Sequence, residues 1–217
     1  DSSASSGSGS SSSGSSTTDT GNGTVVTSFS ELTAAVTKAE KAGGGIVYVK
    51  GSSISCTAQL ALKASNANVS IIGVKNSDGT YPVLDFSAFR SAYIGKATTD
   101  SEVGIRISGS NYTIKNLIIQ KAPDNGIQIK GSSAGNNTIE NCIVRYNNDA
   151  GVQITGGAYS NTMRFVYSYR NCDVYTLGGN ADGFAPKLGA GKGNVFYGCY
   201  SWENSDDGWD SYDKDSL

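Results

Sequence analysis

The sequence predicts an all-β fold, a parallel β-helix or solenoid, with one α-helix capping its N-terminal end. Similar segments begin at Gly104, Gly126, Gly151, Gly183 and Gly208, at intervals of 22, 25, 32 and 25 residues. Several short apolar segments in each unit are separated by turns rich in Gly and Asn. A period of about 25 residues with such units is typical of a parallel solenoid. An antiparallel sandwich is the alternative, but it would show hairpin signals between adjacent strands, and the repeated register favours the solenoid.

The chain begins with a Ser-rich segment. Its first sixteen residues contain 11 Ser and 3 Gly, a composition that cannot bury apolar surface. We expect residues 1–23 to be a disordered linker and residues 24–217 to form the β-helix domain. Because the sequence has neither an initiator Met nor a charged-then-apolar signal region, we expect its start to be a mature or excised end.

One amphipathic helix is predicted directly after this segment. Ser28 and Glu31 stand at the N-cap and N3 positions of a capping box. Apolar residues then recur at helical spacing, namely Leu32, Ala35, Val36 and Ala39. Three Gly residues end the pattern, which predicts a helix from about residue 29 to 42 and a strand at 46–49. We expect this helix to cover the open end of the apolar cylinder.

Each repeat unit contains a second apolar strand, and its register predicts which residues stack. Equivalent residues of neighbouring coils lie about 4.8 Å apart in a solenoid. The predicted interior stack is Leu117, Cys142, Val166 and Cys199. The predicted ladder of turn residues is Asn147, Asn171 and Asn204. The long third interval predicts an inserted loop between residues 172 and 182.

The four cysteines do not suggest a disulfide framework. Cys142 and Cys199 hold the same register two coils apart, about 10 Å, which is beyond the roughly 7 Å limit for a disulfide. We therefore expect both to be buried apolar residues. The sequence leaves the pairing of Cys56 and Cys172 open, and the lack of a CxxC spacing argues against zinc.

The composition excludes several classes of function. With no His, the chain holds neither a Ser-His-Asp nor a Cys-His arrangement. A net charge of −2 and a pI near 5.1 argue against nucleic acid as a partner. No apolar run is long enough for a membrane span. Carboxylates, Lys, Arg and hydroxyl groups remain for chemistry.

Four of the carboxylates converge in the predicted register. Asp182 and Asp207 each stand directly before the first Gly of a unit, Asp206 is adjacent, and Asp210 lies two residues into the strand. Like charges this close need a compensating cation or a shared proton. Four oxygen donors without His or thiolate favour Ca²⁺ over Mg²⁺, because calcium tolerates irregular geometry. The alternative is a solvated Asp-rich turn.

Other residues near this cluster receive simpler interpretations. Asp149 and Asp173 share the register of Asp206, but no carboxylate stands next to the Gly of their coils, so we expect turn residues. The tail at residues 213–215 is expected to be solvated. Trp202 and Trp209 flank the cluster, and either would stack on a sugar ring or pack in the protein.

Three segments carry a resemblance to a known family. They are NADGFAPK at 180–187, GNVFYGC at 193–199 and SWENSDDGWD at 201–210. These segments closely resemble the pectate lyases of polysaccharide lyase family 9. The resemblance implies a right-handed parallel β-helix, secretion, and calcium-dependent cleavage of polygalacturonate, an acidic polysaccharide, by β-elimination. It also implies that Asp182, Asp206, Asp207 and Asp210 are the calcium ligands. We expect a monomer.

The resemblance does not place a catalytic base within the chain. In the family, the catalytic Lys lies more than one coil after the last of these carboxylates, so we expect it beyond Leu217. The solenoid is accordingly expected to be incomplete at its C-terminus, an N-terminal portion of a longer enzyme with little or no turnover. Lys187 is part of the matching motif and is the candidate for binding acidic substrate, although a solvated or structural Lys is the favoured interpretation.

Two alternative functions remain open. A β-helix glycoside hydrolase, similar to polygalacturonases, would use paired Asp residues as general acid and base. Stacked Asp182 and Asp207 without a cation would favour it. A non-catalytic β-helix module for adhesion or carbohydrate binding would have scattered acids and no cleft.

Overall fold

The computed structural model describes residues 21–214. Most of the segment predicted to be a linker, and Asp215 in the acidic tail, lie outside the described residues. Within the described part, neither of the two helices is long and apolar enough to cross a membrane.

The N-terminal helix, α1 (Phe29–Lys41), begins at the predicted residue and ends one residue early. The Ser28 hydroxyl accepts a hydrogen bond from the Glu31 amide at 3.3 Å, and the Glu31 carboxylate accepts one from the Ser28 amide at 3.2 Å. The capping box is therefore confirmed. Leu32, Ala35 and Val36 are buried against the first strands and join the hydrophobic core, so the helix covers this end of the apolar interior. A second short helix, α2, spans Ser87–Ser91.

Residues 21–214 contain eighteen strands, all of them three to five residues long. In chain order they are β1 (Thr24–Val26), β2 (Gly45–Val49), β3 (Ser53–Ser55), β4 (Leu60–Leu62), β5 (Val69–Gly73), β6 (Val83–Asp85), β7 (Ile105–Ile107), β8 (Tyr112–Lys115), β9 (Ile118–Gln120), β10 (Ile127–Lys130), β11 (Thr138–Glu140), β12 (Ile143–Arg145), β13 (Val152–Thr155), β14 (Thr162–Arg164), β15 (Tyr167–Tyr169), β16 (Phe184–Pro186), β17 (Val195–Tyr197) and β18 (Tyr200–Trp202).

The strands form three parallel sheets, which confirms the predicted solenoid. A seven-stranded sheet has the order β1-β2-β5-β8-β11-β14-β17, a six-stranded sheet β18-β15-β12-β9-β6-β3, and a five-stranded sheet β16-β13-β10-β7-β4. Each of the five complete coils, from β2–β4 to β14–β16, contributes one strand to each sheet. The repeats found in the sequence are the strands of the seven-stranded and five-stranded sheets. In the last unit, Trp209 makes only an isolated bridge to Phe184.

The six-stranded sheet was not anticipated. Its later strands follow a residue with positive φ, such as Asn116 at 58° and Asn141 at 52°, and one inward-facing residue. These left-handed residues interrupt the alternation of inward and outward side chains, so the three-residue strands that follow do not form a recognisable pattern.

The predicted interior stack is part of the hydrophobic core. Leu117, Cys142 and Val166 are fully buried, and Cys199 is half-buried in the last coil. All four cysteines are free thiols, Cys172 exposed and Cys56 buried. Burial raises the pKa of the Cys56 thiol to about 12.

Two Asn ladders fix the turns. In the predicted one, the Asn171 side-chain oxygen accepts hydrogen bonds from the Asn147 amide at 3.1 Å and from its side-chain Nδ2 at 2.9 Å. Asn204 accepts the equivalent bonds from Asn171 at 3.2 and 2.9 Å. A second ladder, which sequence reasoning missed, consists of Asn137, Asn161 and Asn194.

The predicted insertion is an exposed loop after β15. Asp173 closes it by accepting hydrogen bonds from the Tyr175 amide and the Thr176 hydroxyl, both at 2.8 Å, so Asp173 is a turn residue as expected. The end of the loop reaches the acidic cluster, because the Asn180 amide donates to the Asp206 carboxylate at 2.8 Å.

Candidate metal centre

Backbone hydrogen bonds align the residues that precede each unit's first Gly. The Gly126 amide donates to the backbone carbonyl of Ala150 at 3.0 Å. In the same way, the Gly151 amide donates to the backbone carbonyl of Asp182 at 2.8 Å, and the Gly183 amide to that of Asp207 at 2.9 Å. The residues directly before these Gly therefore form one row across neighbouring coils. Asp182 and Asp207 are adjacent members of that row, as the sequence register predicts.

Three of the four predicted ligands converge. Asp182, Asp206 and Asp207 each offer a carboxylate oxygen, and these oxygens lie within 4.8 Å of one another. Asp182 is fully buried, whereas Asp206 and Asp207 are exposed. The Asp182 carboxylate also accepts a hydrogen bond from the Asp207 amide at 3.3 Å. Burial raises the pKa of Asp182, although its bond to Lys187 acts in the opposite direction.

Asp210 joins this group through Lys187. The Lys187 ammonium lies 2.8 Å from an Asp182 oxygen and 2.8 Å from an Asp210 oxygen. Only 8% of Lys187 is exposed, so this residue is not a solvated surface Lys. Burial alone would lower the pKa of Lys187, but the bonds to the two carboxylates outweigh burial and raise it. The ammonium therefore stays protonated, and the structural interpretation fits it.

The bond between Lys187 and Asp210 keeps the Asp210 carboxyl group ionised. Burial would raise the pKa of this carboxyl, but the hydrogen bond from Lys187 and one from the Tyr212 amide at 2.8 Å lower it. Asp210 is therefore an anion that faces the ammonium, beside the cluster of three carboxylates.

Asp206, Asp207 and Asp210 line a cleft of about 580 Å³ on the outer side of the five-stranded sheet, whereas Asp182 is fully buried and does not line it. The wall consists of Asp149, Gln153, Asn180, Lys187, Leu188, Asp206, Asp207, Asp210 and Tyr212. Asp149 was expected to be only a turn residue, and that interpretation is incomplete because the residue lies in the cleft. Burial and the nearby Asp124 carboxylate raise the pKa of Asp149 to about 7. The signal was present in the sequence, since Asp149 shares the register of Asp206.

The two Trp residues pack on aromatic rings of the preceding coil. Trp209 stacks on Phe184 with a centroid distance of 4.4 Å, and Trp202 stacks on Tyr169 at 4.3 Å. About half of each indole remains exposed, at 48% for Trp209 and 40% for Trp202.

The donor set fits calcium. Calcium–oxygen distances are about 2.3–2.6 Å, so two ligand atoms on one ion lie at most about 5 Å apart. The oxygens of Asp182, Asp206 and Asp207 meet this condition. All three donors are hard oxygen ligands, with neither imidazole nor thiolate in the set.

Known proteins share this fold and sequence pattern. The family described as "Pel9A-like, right handed beta helix region" matches residues 13–217. Pectate lyase L of Paenibacillus polymyxa is 34% identical over 191 residues, covering 84% of this chain and 40% of that protein. Pectate lyase L of Dickeya chrysanthemi is 32% identical over 141 residues, covering 65% of this chain and 27% of that protein.

The crystal structure of pectate lyase Pel9A superposes with a TM-score of 0.67 at 28% identity, covering 86% of this chain and 45% of that one. The right-handed β-helix and the resemblance found in the sequence are thereby confirmed. The chain spans less than half the length of these relatives.

Proposed function

Because the chain belongs to the Pel9A-like right-handed β-helix family, we propose that it carries the calcium site of a lyase that cleaves pectate by β-elimination. The observation that carries the proposal is the convergence of three carboxylate oxygens, from Asp182, Asp206 and Asp207, within 4.8 Å of one another. Asp206 and Asp207 line a cleft on a fold whose relatives are named pectate lyases.

The chemistry explains why such a site serves this reaction. Loss of the C5 proton of a galacturonate unit to a base moves negative charge into the attached C6 carboxylate. The C4–O bond then breaks as a C4=C5 double bond forms, and the leaving oxygen keeps the electron pair and takes up a proton. Calcium supplies a positive charge at which that carboxylate binds and its developing charge is stabilised. Asp182, Asp206 and Asp207 would hold the ion, with Asp210 beside them.

Lys187 has a positioning role in this proposal. Its ammonium compensates part of the negative charge of four neighbouring carboxylates and fixes the orientation of Asp182 and Asp210. A Lys that accepts the C5 proton must be neutral, and the raised pKa of Lys187 keeps it charged. We therefore do not assign Lys187 as the base. In line with the resemblance, we propose that the base is a Lys outside this chain.

The alternatives have less support. A hydrolase that used the stacked Asp182 and Asp207 as acid and base would need one of them free to donate a proton, and Asp182 is instead ion-paired with Lys187. A non-catalytic module would not need a cleft with converging carboxylates. We also propose that the substrate is an acidic polysaccharide, that the protein is secreted and that it is a monomer, on the basis of the resemblance.

The activity is tested in a chain extended to the length of the relatives. With polygalacturonate and calcium, we expect unsaturated oligogalacturonides, detected by their ultraviolet absorbance, and none after chelation. Asp207→Asn should abolish the product. The control is Asp78→Asn, which changes an exposed Asp distant in sequence from the candidate metal centre and should not alter the amount of product. Release of only saturated ends would contradict the lyase and favour a hydrolase.

A further inference from the structure

A second group of oxygen donors lies two coils towards the N-terminus from the candidate metal centre. Coil by coil, the hydrogen-bond register relates the two groups. The equivalents of Asp182, Asp206 and Asp210 are, in that order, Asn125, Asp149 and Gln153. Only the position of Asp207 has lost its donor, since Ala150 stands there. Asp124 lies one coil before Asp149. It adds a carboxylate that has no counterpart in the first centre.

These residues line a cleft of their own. A cavity of about 220 Å³ is bordered by Asp124, Asn125, Asp149 and Gln153, and it continues into the cleft of the first centre through Asp149 and Gln153. Asp124 and Asp149 stand at the same position of adjacent coils, whose backbones are about 4.8 Å apart.

Asn125 supplies an independent indication of a ligand. The residue is 2% exposed, and its side-chain oxygen Oδ1 has no hydrogen-bond partner among the described residues. Its Nδ2 donates to the Asp124 carboxylate at 2.6 Å. That bond fixes the orientation of the amide, because only nitrogen can donate to a carboxylate. Asn125 lines the cleft, and its buried oxygen lacks a donor. Such a group normally binds a donor, a water molecule or a cation.

The charges of Asp124 and Asp149 are only partly compensated. Among the described residues, neither Asp124 nor Asp149 takes part in an ion pair. Lys130 and Asp100 also line this cleft and pair with each other at 2.5 Å. Lys187 is bonded to the first centre and lowers the pKa of Asp149 only through its charge. In support, burial raises the pKa of both carboxyl groups.

We propose that Asp124, Asp149 and the Oδ1 of Asn125 form a second divalent-cation site that takes Ca²⁺. The donors are hard oxygens without imidazole or thiolate, a set that suits calcium. The site has two carboxylates where the first centre has three, and calcium affinity decreases when fewer of the ligands are charged. It should therefore bind the ion more weakly than the first centre, by tenfold or more.

Calorimetric titration of the chelator-treated chain with CaCl₂ tests the proposal. The unmodified chain should bind two ions with separated affinities. Asp149→Asn should lose only the weak event and Asp206→Asn only the strong one. Asp78→Asn, which removes the same charge at an exposed turn, should retain both. Binding of a single ion, or an unchanged weak event in Asp149→Asn, would overturn the second site and leave the first unaffected.

A second variant should bind calcium more tightly at the second site. Asn125→Asp restores the carboxylate present at the equivalent position of the first centre, and it should tighten the weak event at least tenfold. An unchanged or weakened event in a variant with unaltered circular dichroism would overturn the proposal. Binding of oligogalacturonate to this cleft in calcium-free protein, with affinity unchanged by added calcium, would instead identify a sugar subsite and also overturn it.

Discussion

Replacing Lys187 with Met removes the positive charge inside the candidate metal centre. The ammonium is nine-tenths buried and pairs with Asp182 and Asp210 at 2.8 Å each. Removing one partner of a buried ion pair costs about 3–5 kcal/mol, because the other charge is left uncompensated. Asp182 is able to take up a proton, so we expect the lower value, about 3 kcal/mol. For a domain of this size that corresponds to a fall in Tm of about 6–12 °C.

Calcium should reverse this loss. The variant retains every carboxylate and lacks the cation that repels calcium, so its affinity for Ca²⁺ should rise at least tenfold, or about 1.4 kcal/mol. The increase in Tm on adding calcium should accordingly exceed that of the unmodified chain. Differential scanning calorimetry with and without calcium, together with titration calorimetry, measures both effects.

The matched control is Lys192→Met, which removes an exposed Lys five positions away and should change the Tm by about 1 °C or less. Lys187→Arg should retain most of the calcium-free stability. A Tm of Lys187→Met within about 2 °C of the unmodified chain would refute the assigned role of this ion pair. Loss of calcium binding in that variant would refute the repulsion argument.

Three further predictions concern the ladder, the buried carboxyl and the thiols. Asn171→Ala removes a fully buried link of the Asn ladder and should lower the free energy of unfolding by about 3 kcal/mol, measured by urea denaturation. For calcium-free protein, the raised pKa of Asp149, about 7, means that the folded state keeps a proton that the unfolded chain releases near pH 4. Stability should therefore fall as the pH rises from about 4 to 7, and this fall should be smaller in Asp149→Asn. A thiol reagent should modify only Cys172 rapidly in the folded protein and all four thiols after denaturation.

Each of these has an outcome that would contradict it. Thr57→Ala, an exposed hydroxyl, is the control for the ladder, and equal stability of the two variants would show that the ladder contributes nothing. Parallel pH profiles of the unmodified chain and Asp149→Asn would remove Asp149 as the titrating group. Fewer than four thiols after denaturation without reductant would indicate a disulfide.

The solenoid was predictable because its inward side chains repeat. Ile114, Ile139 and Met163 pair directly in the seven-stranded sheet, and they occupy the same place in each unit of the sequence. The six-stranded sheet was not predictable in this way. Its short strands follow left-handed residues such as Asn116, and their position depends on the coils above and below rather than on their own pattern.

The acidic cluster was also predictable from the repeat, but the ion pairs that Lys187 makes with Asp182 and Asp210 were not. Gly183 and Gly208 mark the register, so Asp182 and Asp207 could be placed on adjacent coils from the sequence. Lys187 lies directly after β16, and its long side chain turns back to Asp182, five residues earlier. No sequence pattern specifies that contact, because a flexible Lys has many conformations and burial selects one of them. The place of Asp149 in the cleft was missed because its charged neighbours, Asp124 and Lys187, come from other coils and are distant in sequence.

A crystal structure of the chain grown with CaCl₂, with anomalous scattering data, tests the central claim most directly. We predict an anomalous peak bound by oxygens of Asp182, Asp206 and Asp207 at about 2.3–2.6 Å, with Asp210 beside it. Saturating calcium with no peak at these carboxylates, and Lys187 still bridging Asp182 and Asp210, would contradict the assignment of this cluster as the calcium centre.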